Sequence, residues 1–215
     1  MGICAALLLA FVVLTACLLF VDVRAVGESG AEVGFATINE AVFAALGQDE
    51  IALKASDLGG LVMIAAVGVF GVTGLVQVIR RKGILRADRA LYVMAGGLVL
   101  LAVAYVFFEI FVINCRPVLD EGELAASYPS SHAMLATAVA GMGAAYLFGR
   151  CKSRVLHGLI GSCLIGLACV TTALRLLGGV HWLSDIVGGV LLGLVITFGY
   201  LSACAFLSEK KERDV

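Results

Sequence analysis

Long apolar stretches alternate along this chain with short polar segments. A membrane-spanning helix needs about 20 apolar residues, because a rise of roughly 1.5 Å per residue has to cross a hydrocarbon core of about 30 Å. Stretches 3–21, 58–79, 90–113, 132–149, 155–174 and 182–207 meet that requirement or approach it. The fourth is the weakest, being rich in Ala and Gly. The predicted fold is an all-α integral-membrane bundle of six transmembrane helices, with residues 1–215 forming one membrane domain.

Charge sits between these stretches and orients them. Arg80, Arg81, Lys82, Arg86 and Arg89 follow the second, Arg150, Lys152 and Arg154 the fourth, and Lys210, Lys211 and Arg213 the sixth, so 11 of the 15 basic residues lie on one side. The positive-inside rule puts that side, and with it both termini, in the cytoplasm. Only Arg24, Lys54, Arg116 and Arg175 face out.

The outer loop 22–57 carries seven acidic residues and the capping-box pattern Thr37-Ile38-Asn39-Glu40, which predicts a short interfacial helix. Phe35, Ile38, Val42 and Leu46 share its apolar stripe, and Phe43 falls off it. Leu14-Thr15-Ala16-Cys17 has the look of a lipoprotein-signal end, yet no basic residue precedes the apolar run and its apolar character continues to Val21.

Composition narrows the class further. The chain is 61% hydrophobic and 14% charged, with a mean hydropathy of +1.06, far from a soluble domain. A formal net charge of −1 provides no basic face for nucleic acid. The seven cysteines are an odd number, lie mostly inside apolar runs and imply no disulfide framework.

Three polar clusters fall on the outer side. Arg116-Pro117 closes the third stretch, Ser127-Tyr128-Pro129-Ser130-Ser131-His132 opens the fourth, and Arg175-Leu-Leu-Gly178-Gly179-Val-His181-Trp182-Leu-Ser-Asp185 spans the last outer turn. Taken singly, each has a structural explanation: a snorkelling arginine before a helix-stopping proline, serines capping a helix, an interfacial histidine, and an Asp185–Arg175 ion pair. Taken together they suit phosphate. Arginines fork onto phosphoryl oxygens and a helix N-terminus offers backbone amides, while one histidine attacks phosphorus and the other protonates the leaving oxygen. His181 and Asp185 are four apart, so a helix starting near His181 puts them on one face, the carboxylate holding one ring nitrogen. No His-x-x-x-His spacing or Cys-His cluster supports a metal, and no cofactor is expected.

These residues resemble the type 2 phosphatidic acid phosphatase superfamily of membrane lipid phosphatases. Its signature reads Lys-x6-Arg-Pro, Pro-Ser-Gly-His and Ser-Arg-x5-His-x3-Asp. The chain has Glu109-x6-Arg116-Pro117, Pro129-Ser130-Ser131-His132 and Leu174-Arg175-x5-His181-x3-Asp185 in the same order. The resemblance implies that His181 is a nucleophile forming a phosphohistidine, that Asp185 orients it and that His132 is the general acid. It further implies that Arg116, Arg175, Ser130 and Ser131 bind phosphate, Ser131 standing for the family's Gly. Glu109 replaces the family's Lys with an anion. If the third helix persists to Arg116, Glu109 lies two turns away and outside the phosphate cradle.

The expected activity is metal-independent hydrolysis of a lipid phosphate monoester or diphosphate, such as a polyprenyl diphosphate or a phosphatidate-like lipid, at the outer face of the bilayer. The rival expectation is a catalytically inactive relative that binds or moves lipid phosphates, with Glu109 as its mark. Short loops and a basic inner side fit a bacterial plasma membrane.

Overall fold

The computed structural model describes residues 2–27, 30–119 and 122–213. Residues 28 and 29 of the acidic outer loop lie outside the described residues. In chain order the elements are α1 (Gly2–Phe20), β1 (Arg24–Val26), β2 (Ala31–Val33), α2 (Ala36–Leu46), α3 (Glu50–Arg80), a single 3-10 turn (Ile84–Arg86), α4 (Arg89–Ile110), α5 (Ser131–Arg150), α6 (Arg154–Leu177) and α7 (Leu183–Arg213). Six of these helices, α1 and α3 to α7, are long and apolar enough to cross a membrane, and the chain is a multi-pass membrane protein.

Helix α5 stands at the centre and packs against both α6 and α7. Half of its apolar window is buried inside the protein, against 6–22% for the other five. That placement accounts for its weak hydropathy: its neighbours are helices and not lipid, so Ala133, Ala136, Ala138, Ala140 and Gly143 serve close packing where Leu would serve solvation by acyl chains. Met134, Ala138, Met142 and Tyr146 fill the core with Leu91, Met94, Leu192 and Tyr200.

Helix α3 begins eight positions before the apolar stretch that predicted it. Asp49 caps it, accepting from the Ile51 and Ala52 amides at 2.8 and 3.0 Å, and Lys54 pairs with Glu50 one turn along at 2.6 Å. A hydropathy pattern registers only the lipid-covered part of a helix, so this polar extension is invisible to it. Helix α4 instead stops early, at Ile110, and the chain turns back so that Cys115 bridges to Ala126.

The outer loop corrects two expectations. It contains a two-stranded antiparallel hairpin, with Arg24 opposite Val33, and α2 is not closed by a capping box. Its N-cap is Phe35, in the left-handed region and without a side-chain bond. Asp22 supplies the missing acceptor, taking the Thr37 amide at 2.6 Å, and that bond holds its carboxyl below the usual range. The buried face of α2 runs through Ala36 and Asn39, and Phe43, off the expected stripe, meets the Trp182 ring at 5.6 Å. Ile38 and Leu46 of that stripe point outward.

At the opposite end, Asp88 caps α4 and takes both an Nε and an Nη2 bond from Arg150 at the end of α5. The guanidinium holds the Asp88 carboxyl below the usual range through these charge-assisted bonds. This pair ties the start of α4 to the end of α5 on the basic side of the bundle.

The orientation has a direct check. In a background without native cysteines, Glu32→Cys should react with a membrane-impermeant thiol reagent on intact cells, and Arg80→Cys only after the cells are opened; both positions are exposed. The reverse pattern would overturn the outward placement of the α2 loop.

Candidate active site

The three polar clusters meet at the end of the bundle that carries α2. Helix α7 starts at Leu183, two residues after His181, and its start is fixed reciprocally. Asp185 sits at the third helical position and its Oδ2 accepts the Trp182 amide at 2.9 Å, half of a capping box. Asn39, from α2, completes the cap by accepting the Ser184 amide at 3.1 Å while donating to Ser184 Oγ at 2.9 Å.

Asp185 is fully buried, so both its oxygens need donors. Asn114 provides the second, with Nδ2 3.1 Å from Asp185 Oδ1, and its own Oδ1 accepts the Gly34 amide at 3.2 Å. The Asp185 carbonyl in turn accepts the Ser130 amide at 3.0 Å, coupling the start of α7 to the start of α5. Asn39, Asn114 and Ser184 therefore form one buried polar hub beneath the carboxylate.

His181 lies above this hub at 4% exposure, its Nδ1 3.7 Å from Asp185 Oδ2. The contact holds, but the reason differs from the expected one: His181 precedes the helix, and the carboxylate reaches it by folding back over the N-terminus. At 3.7 Å the two side chains are in contact, at a distance beyond a formed hydrogen bond. Burial holds the imidazole below its ordinary pKa, with Asp185 opposing and Arg175 and Arg116 reinforcing the shift. Gly179 makes the preceding reversal possible, with φ +69° and no room for a side chain beside Gln48, whereas Gly178 is an ordinary right-handed helix end.

Ser130 caps α5, and its Oγ lies 3.5 Å from the Ala133 amide. Ser131 and His132 follow in the first turn of the helix. Gly60 of α3 leaves room for the His132 ring, since a Cβ there would stand 2.7 Å from its Cδ2. Arg175, in the last turn of α6, is buried and does not pair with Asp185. Its carboxylate is Asp57 of α3, with Nη1 to Oδ1 at 2.6 Å, and Ser56 Oγ lies 3.3 Å from the same nitrogen. The same Asp57 oxygen is 3.4 Å from His132 Nε2.

Arg116 is presented by the returning loop, its amide bonded to the Ala125 carbonyl at 3.0 Å. With Ser131, His181, Tyr128 and Glu109 it lines a cavity of about 50 Å³. Glu109 is therefore not two helical turns from the cradle. Because α4 ends at Ile110, the chain doubles back and brings the carboxylate and Arg116 to one cavity. A second, mostly apolar groove of about 570 Å³ opens beside it between α3, α4 and α5, lined by Asp57, Gly60, Leu61, Tyr105, Ser131 and His132. Among the described residues, no three His, Cys, Asp or Glu side chains are grouped to hold a metal ion.

Sequence reasoning missed Asp57, Asn114, Asn39 and Ser184. Asp57 looked like the last acid of a solvated loop, and only its place immediately before an apolar stretch set it apart. Asn114 stands two residues before Arg116, but no spacing rule marks an asparagine that acts on another residue's carboxylate.

Fold and site together define a membrane protein with six long apolar helices whose α2 end gathers two histidines, two arginines and a buried aspartate. Residues 109–207 match the model of the PAP2 superfamily. The fold is similar over 95% of this chain to the crystal structure of a transmembrane PAP2-type phosphatidylglycerolphosphate phosphatase from Bacillus subtilis, of which 97% is covered, with a TM-score of 0.68 at 20% identity. No curated protein sequence matches at a significant level.

Asn114→Ala should leave the protein folded and lower kcat by about ten- to hundredfold with little change in KM. It removes a bond to a buried carboxylate worth roughly 1.5–3 kcal/mol. Steady-state kinetics beside a thermal unfolding curve measures both, and unchanged kcat would show that Asp185 is held without Asn114.

Proposed function

We propose that this protein is a phosphatase of membrane lipids that works through a covalent phosphohistidine on His181. The observation that carries the reading is the buried His181–Asp185 pair, backed by Asn114 and set beside Arg116 in one cavity at the start of α5. A carboxylate at one ring nitrogen fixes the proton there and leaves the other nitrogen's lone pair for attack.

In the first step His181 Nε2 attacks phosphorus and the bond from phosphorus to the leaving oxygen breaks. His132 gives that oxygen its proton, releasing the lipid alcohol or lipid monophosphate. In the second step neutral His132 takes a proton from water, the oxygen attacks phosphorus, and the phosphorus–nitrogen bond breaks to free His181 and inorganic phosphate. Arg116, Arg175 and the amides around Ser130 and Ser131 carry the charge that builds on the phosphoryl oxygens. Of the site residues, His181, His132 and Asp185 are assigned the chemical roles.

The apolar groove beside His132 suits a substrate whose phosphate is joined to a hydrocarbon chain, in keeping with a phosphatidate-like lipid or a polyprenyl diphosphate. The PAP2 match and the fold shared with a phosphatidylglycerolphosphate phosphatase support the same class of substrate. The charge pattern supports an active site on the outer face of a bacterial plasma membrane, with both termini inside.

His181→Ala should lose nearly all release of inorganic phosphate from a panel of lipid phosphates while still binding them, and should fail to trap radiolabelled phosphoenzyme. Added EDTA should change nothing. Undiminished turnover in this variant would overturn the assignment, and a wild-type protein that binds every lipid phosphate without releasing phosphate would favour the inactive relative.

The pH profile gives a further test. The nucleophile must be neutral, and burial lowers the pKa of His181, so it stays neutral to lower pH than a free histidine. The acid limb of kcat/KM, which reports groups of the free enzyme, should therefore fall below about pH 6.5. A limb above that value would contradict a buried neutral nucleophile.

A further inference from the structure

We propose that Asp57 holds the place of a substrate oxygen in the resting enzyme, so that a phosphate group binds by displacing its carboxylate from Arg175 and His132. This rests on the phosphatase reading above and adds to it a residue that sets affinity and selects the kind of phosphate accepted.

A single atom carries the geometry. Asp57 Oδ1 lies 2.6 Å from Arg175 Nη1 and 3.4 Å from His132 Nε2. Those are the two groups assigned to hold a phosphoryl oxygen and to protonate the leaving oxygen. The other ring nitrogen of His132, Nδ1, is buried with no hydrogen-bond partner among the described residues, so Nε2 is the nitrogen available for the chemistry. Its proton cannot serve Asp57 and a leaving oxygen together.

Charge explains why a carboxylate is there. The Arg175 side chain is only 7% exposed, and a guanidinium so buried requires an anion beside it. Asp57 balances it in the empty site, and an arriving phosphate takes over that task. Two anions at contact distance repel, so the exchange is one for the other. Ser56 Oγ, 3.3 Å from the same nitrogen, steadies the guanidinium in both states.

The two carboxylates of the site differ in their freedom to move. Asp185 is fully buried and held by the Trp182 amide and Asn114. Asp57 is 52% exposed on the wall of the groove and can swing into it. A phosphodiester carries a single charge, no more than the carboxylate it would replace, whereas a terminal phosphate carries about −1.5 to −2 at neutral pH. Asp57 thereby favours terminal phosphates over the diester headgroups that crowd a bilayer surface.

The probe is inorganic phosphate, and the fluorescence of Trp182, the chain's single tryptophan and the neighbour of His181, reads binding without turnover. Asp57→Asn keeps the shape and removes the charge. It should bind inorganic phosphate more than about threefold tighter than wild type, with KM for a lipid phosphate lowered in parallel and kcat retained within about tenfold. Phosphate affinity that is unchanged within threefold, or weaker, would overturn the proposal, as would a kcat loss beyond tenfold without tighter binding. Asp57→Ser, tested in the same way, decides the matter if the Asn variant does not fold. Because binding is read without catalysis, a wild-type protein that hydrolyses no lipid phosphate would sink the phosphatase reading while leaving the displacement of Asp57 measurable.

Discussion

Everything at the α2 end of this molecule depends on one buried carboxylate and the donors that surround it. Asp185 sits with no access to water, a position that costs several kcal/mol unless its oxygens are fully engaged. Three separate parts of the chain meet around it: its own helix start donates through Trp182 and the loop after α4 through Asn114, while α2 holds the adjacent Ser184 through Asn39. Its backbone carbonyl recruits a fourth, the start of α5 at Ser130. The carboxylate thus organises the loops that the membrane helices leave unconstrained, and His181 inherits its position from that organisation.

The aromatic packing serves the same end. Tyr128, buried ahead of α5, shares a 2.7 Å hydrogen bond with Thr15 of α1 and lies against Phe11 and Phe108. Trp182 donates from its indole to the Cys115 carbonyl at 2.7 Å and packs with Val26, Val33 and Ala36 of the outer loop. Each ring buries apolar area while its polar atom finds a partner, which is how a large aromatic can fix a loop without leaving a donor unsatisfied.

The sequence made the membrane helices legible because lipid imposes a single requirement, length in apolar residues, that can be counted. It also singled out His132, His181, Asp185, Arg116 and Arg175, which gather at one end of the bundle, since those residue types are costly at a membrane boundary and stood out there. What it concealed were contacts made across long separations. Asp57 and Arg175 are 118 positions apart and Asn39 and Ser184 are 145 apart, and no local pattern joins them. Glu109 was misplaced for a different reason: its distance from Arg116 followed from a helix assumed to continue, and α4 ends where the returning loop begins to pair with residues further on. Phe43 was set aside because it falls off the apolar stripe of α2, yet it meets Trp182, and the polar Asn39 is the residue that marks the buried face.

The early start of α3 also determines the level at which the candidate site lies. At roughly 1.5 Å per residue its 31 residues extend about 46 Å, well beyond a hydrocarbon core of about 30 Å. Ser56 and Asp57 lie about two turns in from its capped end, at the border between the polar extension and the apolar stretch. A bilayer whose hydrocarbon core covers the apolar stretch of α3 would put its headgroups at that border. A phosphate meeting Arg175 there remains at its own depth, and its hydrocarbon chain stays among its neighbours. Raising such a chain into water would cost about 0.8 kcal/mol for each methylene exposed, so under the proposed function a site at this level would spare its substrate the extraction and its product the return.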